Sequence, residues 1–171
     1  MIRVISILAT ACLLSGCSSS SQPNIANYLL PSPMALESNT EIGSIRVSTA
    51  DYLDESNIQL ELADGTLKAA NYHHWAQSLE LECERYLDTR LQTSGDSNAP
   101  QIEVEIHRFH GDESGRIILE GRWKKNIVDS PTDATWQFFK LQKDSPFEGY
   151  ASFVDTHADL LDELCQVILI D

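Results

Sequence analysis

The stretch QIEVEIHRFHGDESGRIILEGRW, residues 101–123, decides the fold. Its first half places Ile102, Val104 and Ile106 at alternate positions between polar or charged residues, which is the period of a β-strand with one buried face. The segment GDESG at 111–115 is rich in turn-forming residues. A second apolar run, RIILEGRWKK, follows it. The stretch therefore predicts two long strands joined by a short turn.

Shorter strands are predicted on both sides of this stretch. The run IRVST alternates in the same way, and NIQLELADGTLKAANY predicts a hairpin in which Asp64-Gly65 supplies a primed turn. Tyr28-Leu29-Leu30 predicts a first strand that Pro31 ends, and TWQFFKLQ (135–142) predicts a last strand. The polar segment TSGDSNAP (93–100) predicts a break between elements.

Two segments instead carry the spacing of a helix. From Trp75 onward, apolar residues recur every three or four positions, which places them on one helical face: Trp75, Leu79, Cys83, Tyr86, Leu87 and Leu91. A second helix is predicted from Thr156, where Thr156 and Asp159 resemble a capping box. Strands in a run with two helices predict a single α+β domain, a largely antiparallel sheet with both helices packed on one face.

The amino terminus, MIRVISILATACLLSGCSSSSQPN, predicts export from the cytoplasm. Arg3 precedes an apolar run that is too short to span a bilayer, as in a signal peptide. The run ends in LSGC, which resembles the lipobox of bacterial lipoproteins, with Cys17 as the acylated residue. We therefore expect residues 1–16 to be a signal peptide, 17–26 a lipidated terminus and tether, and 27–171 the folded domain.

Lipidation implies a location for the protein. The resemblance implies no cofactor other than covalent lipid, a diacylglycerol and an N-acyl chain on Cys17. Several acyl chains give stable attachment, since each buried CH₂ contributes about 0.8 kcal/mol. Ser18 stands where an aspartate would suggest retention in the inner membrane. We expect an outer-membrane anchor with the domain facing the periplasm.

The charge of the chain excludes one class of partner. The formal net charge of the 171 residues is −14. Such a surface repels nucleic acid and anionic lipid headgroups, so nucleic-acid binding is not expected. A lipid anchor, and not a basic patch, must then hold the protein at the membrane.

Two cysteines, Cys83 and Cys165, remain beyond the lipobox, in an oxidising compartment. A disulfide between them would close a loop of about eighty residues, worth about 4 kcal/mol in the chain-entropy model. The alternative is two separate buried thiols that behave as small apolar residues. Both alternatives remain open from the sequence.

No catalytic or metal-binding motif is present in the sequence. If the predicted helix starts at Trp75, His73 and His74 diverge by about 100° at its start and cannot share a metal ion. His107 and His110 point to opposite faces if their strand is regular. His157 is predicted in the first turn of the last helix. We predict no catalytic site and no metal site.

Four large aromatic residues are candidates for interface anchors: Trp75, Phe109, Trp123 and Trp136. Their place in amphipathic patterns favours the alternative that they are core residues.

Several stretches together resemble one family. NYLLP after the lipobox, IRVSTADYLDESNIQLE, HHWAQSLELECERYLDTRL, VEIHRFHGDESGRIILEGRW and a last amphipathic helix follow one another in order. This arrangement resembles the ABC-type transport auxiliary lipoproteins of the PqiC (YmbA-like) type. The resemblance implies a non-catalytic outer-membrane subunit that works with an MCE-domain protein, whose periplasmic tunnel moves lipids between membranes.

The sequence leaves other functions open. One is a lipoprotein that binds a small hydrophobic ligand or assists assembly of an outer-membrane component. Another is an envelope hydrolase, which would need histidine and carboxylate groups that converge in the fold. Homo-oligomerisation also remains open.

Overall fold

The computed structural model describes residues 23–126, 134–146 and 148–170. Within these ranges, seven strands and two helices follow one another. They are β1 (Ala26–Tyr28), β2 (Ser44–Thr49), β3 (Asn57–Glu61), β4 (Leu67–Trp75), α1 (Leu79–Leu91), β5 (Gln101–Asp112), β6 (Arg116–Asn126), β7 (Gln137–Asp144) and α2 (Tyr150–Ile170). A 3-10 turn, Asp51–Leu53, lies between β2 and β3.

All seven strands belong to one mixed sheet, in which β1, β4, β3, β5, β6 and β7 are successive neighbours. The hairpins β3–β4, β5–β6 and β6–β7 are antiparallel, while β1–β4, β2–β5 and β3–β5 are parallel. Strand β2 pairs with the start of β5, and β3 pairs with its end. Strands β2 and β3 therefore lie one after the other along the same edge of β5, and the 3-10 turn separates them.

The core lies between the sheet and the two helices. Alternate side chains of β5 and β6 are buried there with the apolar stripes of α1 and α2. The helices also contact each other, and Tyr86 and Arg90 of α1 donate hydrogen bonds to the Asp162 carboxylate of α2. The predicted α+β class with two main helices is confirmed.

The first helix begins later than predicted. Residues 67–75 form β4, so His73, His74 and Trp75 lie on a strand that pairs with β1. The helix starts at Leu79 because the Ser78 hydroxyl caps it and accepts a hydrogen bond from the Leu81 N–H. Trp75 is buried as predicted, but it belongs to a strand of the sheet and not to a helix. The prediction of a helix start at Trp75 is wrong.

The last helix begins earlier than predicted. It starts at Tyr150, so Thr156 lies inside the helix and donates a hydrogen bond to the Ser152 carbonyl oxygen. The proposed capping box with Asp159 is wrong. The additional first turns carry Phe153 and Val154 into the core, which extends the apolar stripe.

Two local predictions near the amino-terminal half also need correction. The first strand ends at Tyr28, and Leu30 enters the core from a loop. The β3–β4 loop does not use a primed two-residue turn. Within this loop, only Gly65 has a positive φ, 79°. The Leu62 N–H donates a hydrogen bond across the loop to the Thr66 carbonyl oxygen.

Candidate functional site

The predicted lipid-attachment residue, Cys17, lies outside the described residues. Lipidation and the signal peptide therefore remain predictions. Within the described ranges, neither helix is both long enough and apolar enough to cross a membrane.

Cys83 and Cys165 are buried in α1 and α2, and the structure has both as free thiols. Burial raises the pKa of both thiols, that of Cys165 to about 12. A thiol with a raised pKa is a poor nucleophile. In the structure the two cysteines are therefore inert buried residues. The disulfide stays a prediction.

Thiol alkylation with a mass-shift reagent under denaturing conditions tests the pairing. If the bond forms, protein taken from the periplasm gains no label at Cys83 or Cys165 without reductant and two labels with it. Two labels in both samples would refute the bond. The Cys83→Ser variant is the control, because it leaves one thiol that labels in either sample.

Within the described residues, the histidines are not gathered into a group of metal ligands. His73 stacks on the Tyr150 ring, and His74 contacts the Asn57 side chain. His107 lies at a β-bulge that shifts the register of β5, so the regular alternation assumed for His107 and His110 is wrong. Among the residues that the structure describes, no group of three or more potential ligands could hold a metal ion.

One polar network was not anticipated from the sequence. The buried His110 ring lies between Tyr52 and Glu61, with Nδ1 2.8 Å from the Tyr52 hydroxyl and Nε2 3.0 Å from the Glu61 carboxylate. Arg108 also donates to Glu61. Because an ionised carboxylate only accepts, His110 Nε2–H donates to Glu61.

The order hydroxyl, imidazole and carboxylate resembles the arrangement of a covalent catalyst. The electrostatics do not favour that role, because burial raises the Tyr52 pKa to about 12. A nucleophile needs the opposite shift or a base in a place that substrate can reach, and the neighbouring base His110 is only 3% exposed. Glu61 has its pKa lowered by the His110 hydrogen bond and also pairs with Arg108. The network is best explained as a structural link, because its hydrogen bonds connect the 3-10 turn, β3 and β5.

A second histidine, His157, lies fully inside the core and not in the first helical turn. Its ring contacts Phe109, Phe153 and Trp75, and Nδ1–H donates to the Phe153 carbonyl oxygen at 2.8 Å. Burial, with a smaller contribution from His110, lowers the His157 pKa to about 4 from its usual 6.5. The folded protein therefore keeps this ring neutral.

This burial predicts a loss of stability in mild acid. Between pH 6.5 and 4 the unfolded chain binds a proton at His157 that the folded chain does not, so unfolding becomes easier as the pH falls. We expect His157 to lower the free energy of unfolding by about 2 kcal/mol between pH 7.5 and 5. Urea denaturation at pH 7.5 and at pH 5 measures this change in the free energy of unfolding. The His157→Gln variant should lose this difference, and an unchanged difference would contradict the assignment.

The segment after the tether is fixed to α1 by a buried carboxylate. Glu82 has no exposed surface, and its Oε2 accepts hydrogen bonds from the Leu30 N–H at 2.8 Å and from Arg85 at 3.0 Å. Gln77 donates to the other oxygen. Arg85 also donates to the Leu30 carbonyl oxygen. Together these contacts hold the start of the domain at a defined place beside β1.

The side of the sheet opposite the helices carries paired charges. Across β5 and β6, Glu103 pairs with Lys124 and Glu105 with Arg122. Farther along, Glu120 lies between Arg108 of β5 and Lys140 of β7. We call this side the open face. Its ion pairs are partly exposed and contribute little stability each, so the open face, as built by the described residues, is a polar surface.

Two aromatic residues lie on the open face at the sheet edge. The Arg122 guanidinium lies 4.4 Å from the Trp136 ring centroid, and the Lys124 ammonium lies 4.6 Å from it. Phe138 pairs with Arg122 in register and is 76% exposed. We call Trp136 and Phe138 the aromatic edge patch. Trp, Arg and large apolar side chains of this kind often anchor protein interfaces.

The interface candidates named from the sequence thus fall into two groups, buried core residues and one partly exposed residue. Trp75, Phe109 and Trp123 are buried in the core, which favours their structural role. Trp136 is only half-buried. Phe138 was missed, because the pattern WQFFK does not tell which phenylalanine faces the core.

An apolar cavity of about 310 Å³ opens at the other end of the sheet. Its lining comes from β3, the β5–β6 turn and the start of α2, and the main apolar residues are Leu60, Pro146, Tyr150 and Phe153. Asp112, Glu113 and Ser145 add polar atoms. Ligand cavities in proteins start at about 300 Å³, so this one suits a small apolar group.

The fold is that of a small α+β domain. The family model for the ABC-type transport auxiliary lipoprotein component matches residues 28–169. The chain belongs to this family.

Solved structures support the same fold. A crystal structure of an uncharacterized protein superposes with a TM-score of 0.72 at 21% identity and covers 85% of this chain and 97% of that chain. Protein XCC0632 from Xanthomonas campestris, of family DUF330, gives a TM-score of 0.68 at 15% identity and covers 84% and 93%. At these identities the likeness carries the fold alone. A comparison with curated proteins found no match.

Proposed function

We propose that this protein is a non-catalytic, outer-membrane-anchored subunit of an MCE-type lipid-transport system, and that it docks the periplasmic tunnel protein at the outer membrane. The observation that carries the proposal is the family match over residues 28–169, to an auxiliary component of transport systems. The lipobox-like sequence at Cys17 and the acidic composition support a tethered periplasmic domain.

The structural features are consistent with docking. The Glu82 contacts fix the start of the domain to α1, so a tether of a few residues would hold the domain close to the membrane. The aromatic edge patch offers exposed apolar area for a partner. The polar network around His110 does not favour covalent catalysis, because burial raises the pKa of Tyr52, the hydroxyl of that network.

Affinity purification of the full-length, tagged protein from mild detergent tests the proposal. We expect an MCE-domain protein to be retained, and deletion of the lipoprotein to weaken the envelope, measured as sensitivity to detergents. An unrelated outer-membrane lipoprotein with the same tag is the control. The absence of any MCE-domain protein from the purified material would contradict the proposal.

The apolar cavity favours a second candidate function, the binding of a small hydrophobic ligand. Its lining by Leu60, Tyr150 and Phe153 suits an acyl chain or a similar group. Native mass spectrometry of the domain separates the two functions. A lipid bound at one molecule per chain would support the second, and a protein without bound lipid would favour docking alone.

A further inference from the structure

Among the strands that the structure describes, β7 is an open edge of the sheet. Edge strands present unpaired N–H and C=O groups, and proteins usually shorten or cover them. At the opposite edge β1 has only three residues. Beside β5, strand β2 is covered by α1, and its Val47 N–H donates to the Glu84 carboxylate at 3.1 Å. In contrast, β7 has eight residues and pairs, among the described strands, with β6 alone.

The open edge also carries the most exposed aromatic ring of the sheet. Phe138 lies in β7 itself, and Trp136 immediately precedes the strand on the same face. An exposed aromatic residue on a long edge strand is costly in a protein that only has to stay soluble. Its presence at this edge, and not on β1, indicates a surface that a partner covers.

The charges near this edge differ from those of the whole chain. Strand β7 itself carries Lys140 and Lys143 against one carboxylate, Asp144, although the net charge of the protein is −14. Lys140 remains 66% exposed even though it contacts Glu120. Strand β6 places the Glu120 carboxylate directly across from Lys140. A second strand on the free side of β7 could supply a carboxylate to Lys140 in the same way.

We propose that the free edge of β7 binds an extended segment of the tunnel protein by β-strand addition. The segment would place an apolar residue beside Phe138 and a carboxylate beside Lys140. Eight paired residues correspond to a length of about 27 Å. Main-chain hydrogen bonds would supply affinity, and the two side-chain contacts would supply specificity. This inference rests on the proposed function, because it names the surface through which that docking occurs.

Two substitutions test the side-chain contacts in the full-length protein in mild detergent. We expect Phe138→Glu and Lys140→Glu each to reduce the amount of MCE-domain protein that co-purifies by about tenfold, since each 1.4 kcal/mol lost at an interface is tenfold in affinity. Leu81→Glu is the matched control, because Leu81 is an exposed apolar residue on α1. Circular dichroism verifies that all variants fold.

A photo-crosslinking residue at positions 138, 140 and 142 tests strand addition itself. We expect crosslinks to one segment of the tunnel protein, at sites that advance by about two residues for each step along β7. Crosslinks from position 81 instead, or full co-purification of Phe138→Glu, would overturn the inference and leave the docking function standing. Crosslinks from position 138 to a second copy of this chain would overturn it too. Failure of the wild-type protein to retain any MCE-domain protein would overturn both.

Discussion

Replacement of Cys17 by serine is expected to abolish lipid incorporation and to remove the protein from the outer-membrane fraction. The thiol is the acceptor of the diacylglycerol in the lipobox interpretation, and a serine hydroxyl does not replace it. Each acyl CH₂ contributes about 0.8 kcal/mol of membrane affinity, so loss of several chains removes the anchor. The described part of the chain has no helix that could substitute as a membrane span.

Metabolic labelling with a fatty-acid probe, followed by membrane fractionation, measures this result. Cys12→Ser is the control, because Cys12 lies within the predicted signal peptide and should not affect acylation. Ser18→Asp tests the destination separately, and we expect it to move the protein towards the inner membrane. Persistent acylation of the Cys17→Ser variant would contradict the lipobox interpretation.

The second large effect is expected at Glu82. Substitution by alanine removes the acceptor of the Leu30 N–H inside the protein and leaves Arg85 without its carboxylate partner. Hydrogen bonds to charged groups contribute about 1.5 to 3 kcal/mol each, and Arg85 can still turn towards solvent. We therefore expect Glu82→Ala to lower the free energy of unfolding by about 2 to 4 kcal/mol.

Urea denaturation measures the loss, and hydrogen exchange at Leu30 shows whether the segment beside β1 opens first. Glu80→Ala is the matched control, because Glu80 lies in the same turn of α1 but is exposed. Equal stability of the two variants would show that the buried carboxylate does not hold the start of the domain.

The sequence predicted the elements better than their ends. Alternation identified β5 and β6, because one face of each is buried while the other meets solvent. The helix starts were wrong for a physical reason. The spacing of Trp75, Leu79 and Cys83 suits a helix, yet pairing with β1 keeps Trp75 in a strand, and the Ser78 cap then sets the start of α1.

The candidate surfaces were mostly beyond sequence reasoning. Glu82 looks like a solvated helical residue, and only the fold brings the Leu30 N–H to it. The Trp136 contacts with Arg122 and Lys124 depend on the register of β6 and β7. Exposure of Phe138 beside buried Phe139 depends on which side of β7 faces the helices. Each of these features joins residues distant in sequence, which local patterns do not record.

The central claim is that the lipidated protein recruits a tunnel protein to the outer membrane. Vesicle flotation tests it most directly, with the full-length lipoprotein in vesicles of phosphatidylethanolamine and phosphatidylglycerol, and a purified, fluorescent MCE-domain protein added outside. We predict that the MCE-domain protein floats with vesicles that carry the wild-type lipoprotein and stays at the bottom with bare vesicles. Equal flotation with and without the lipoprotein, or none with either, would contradict the account.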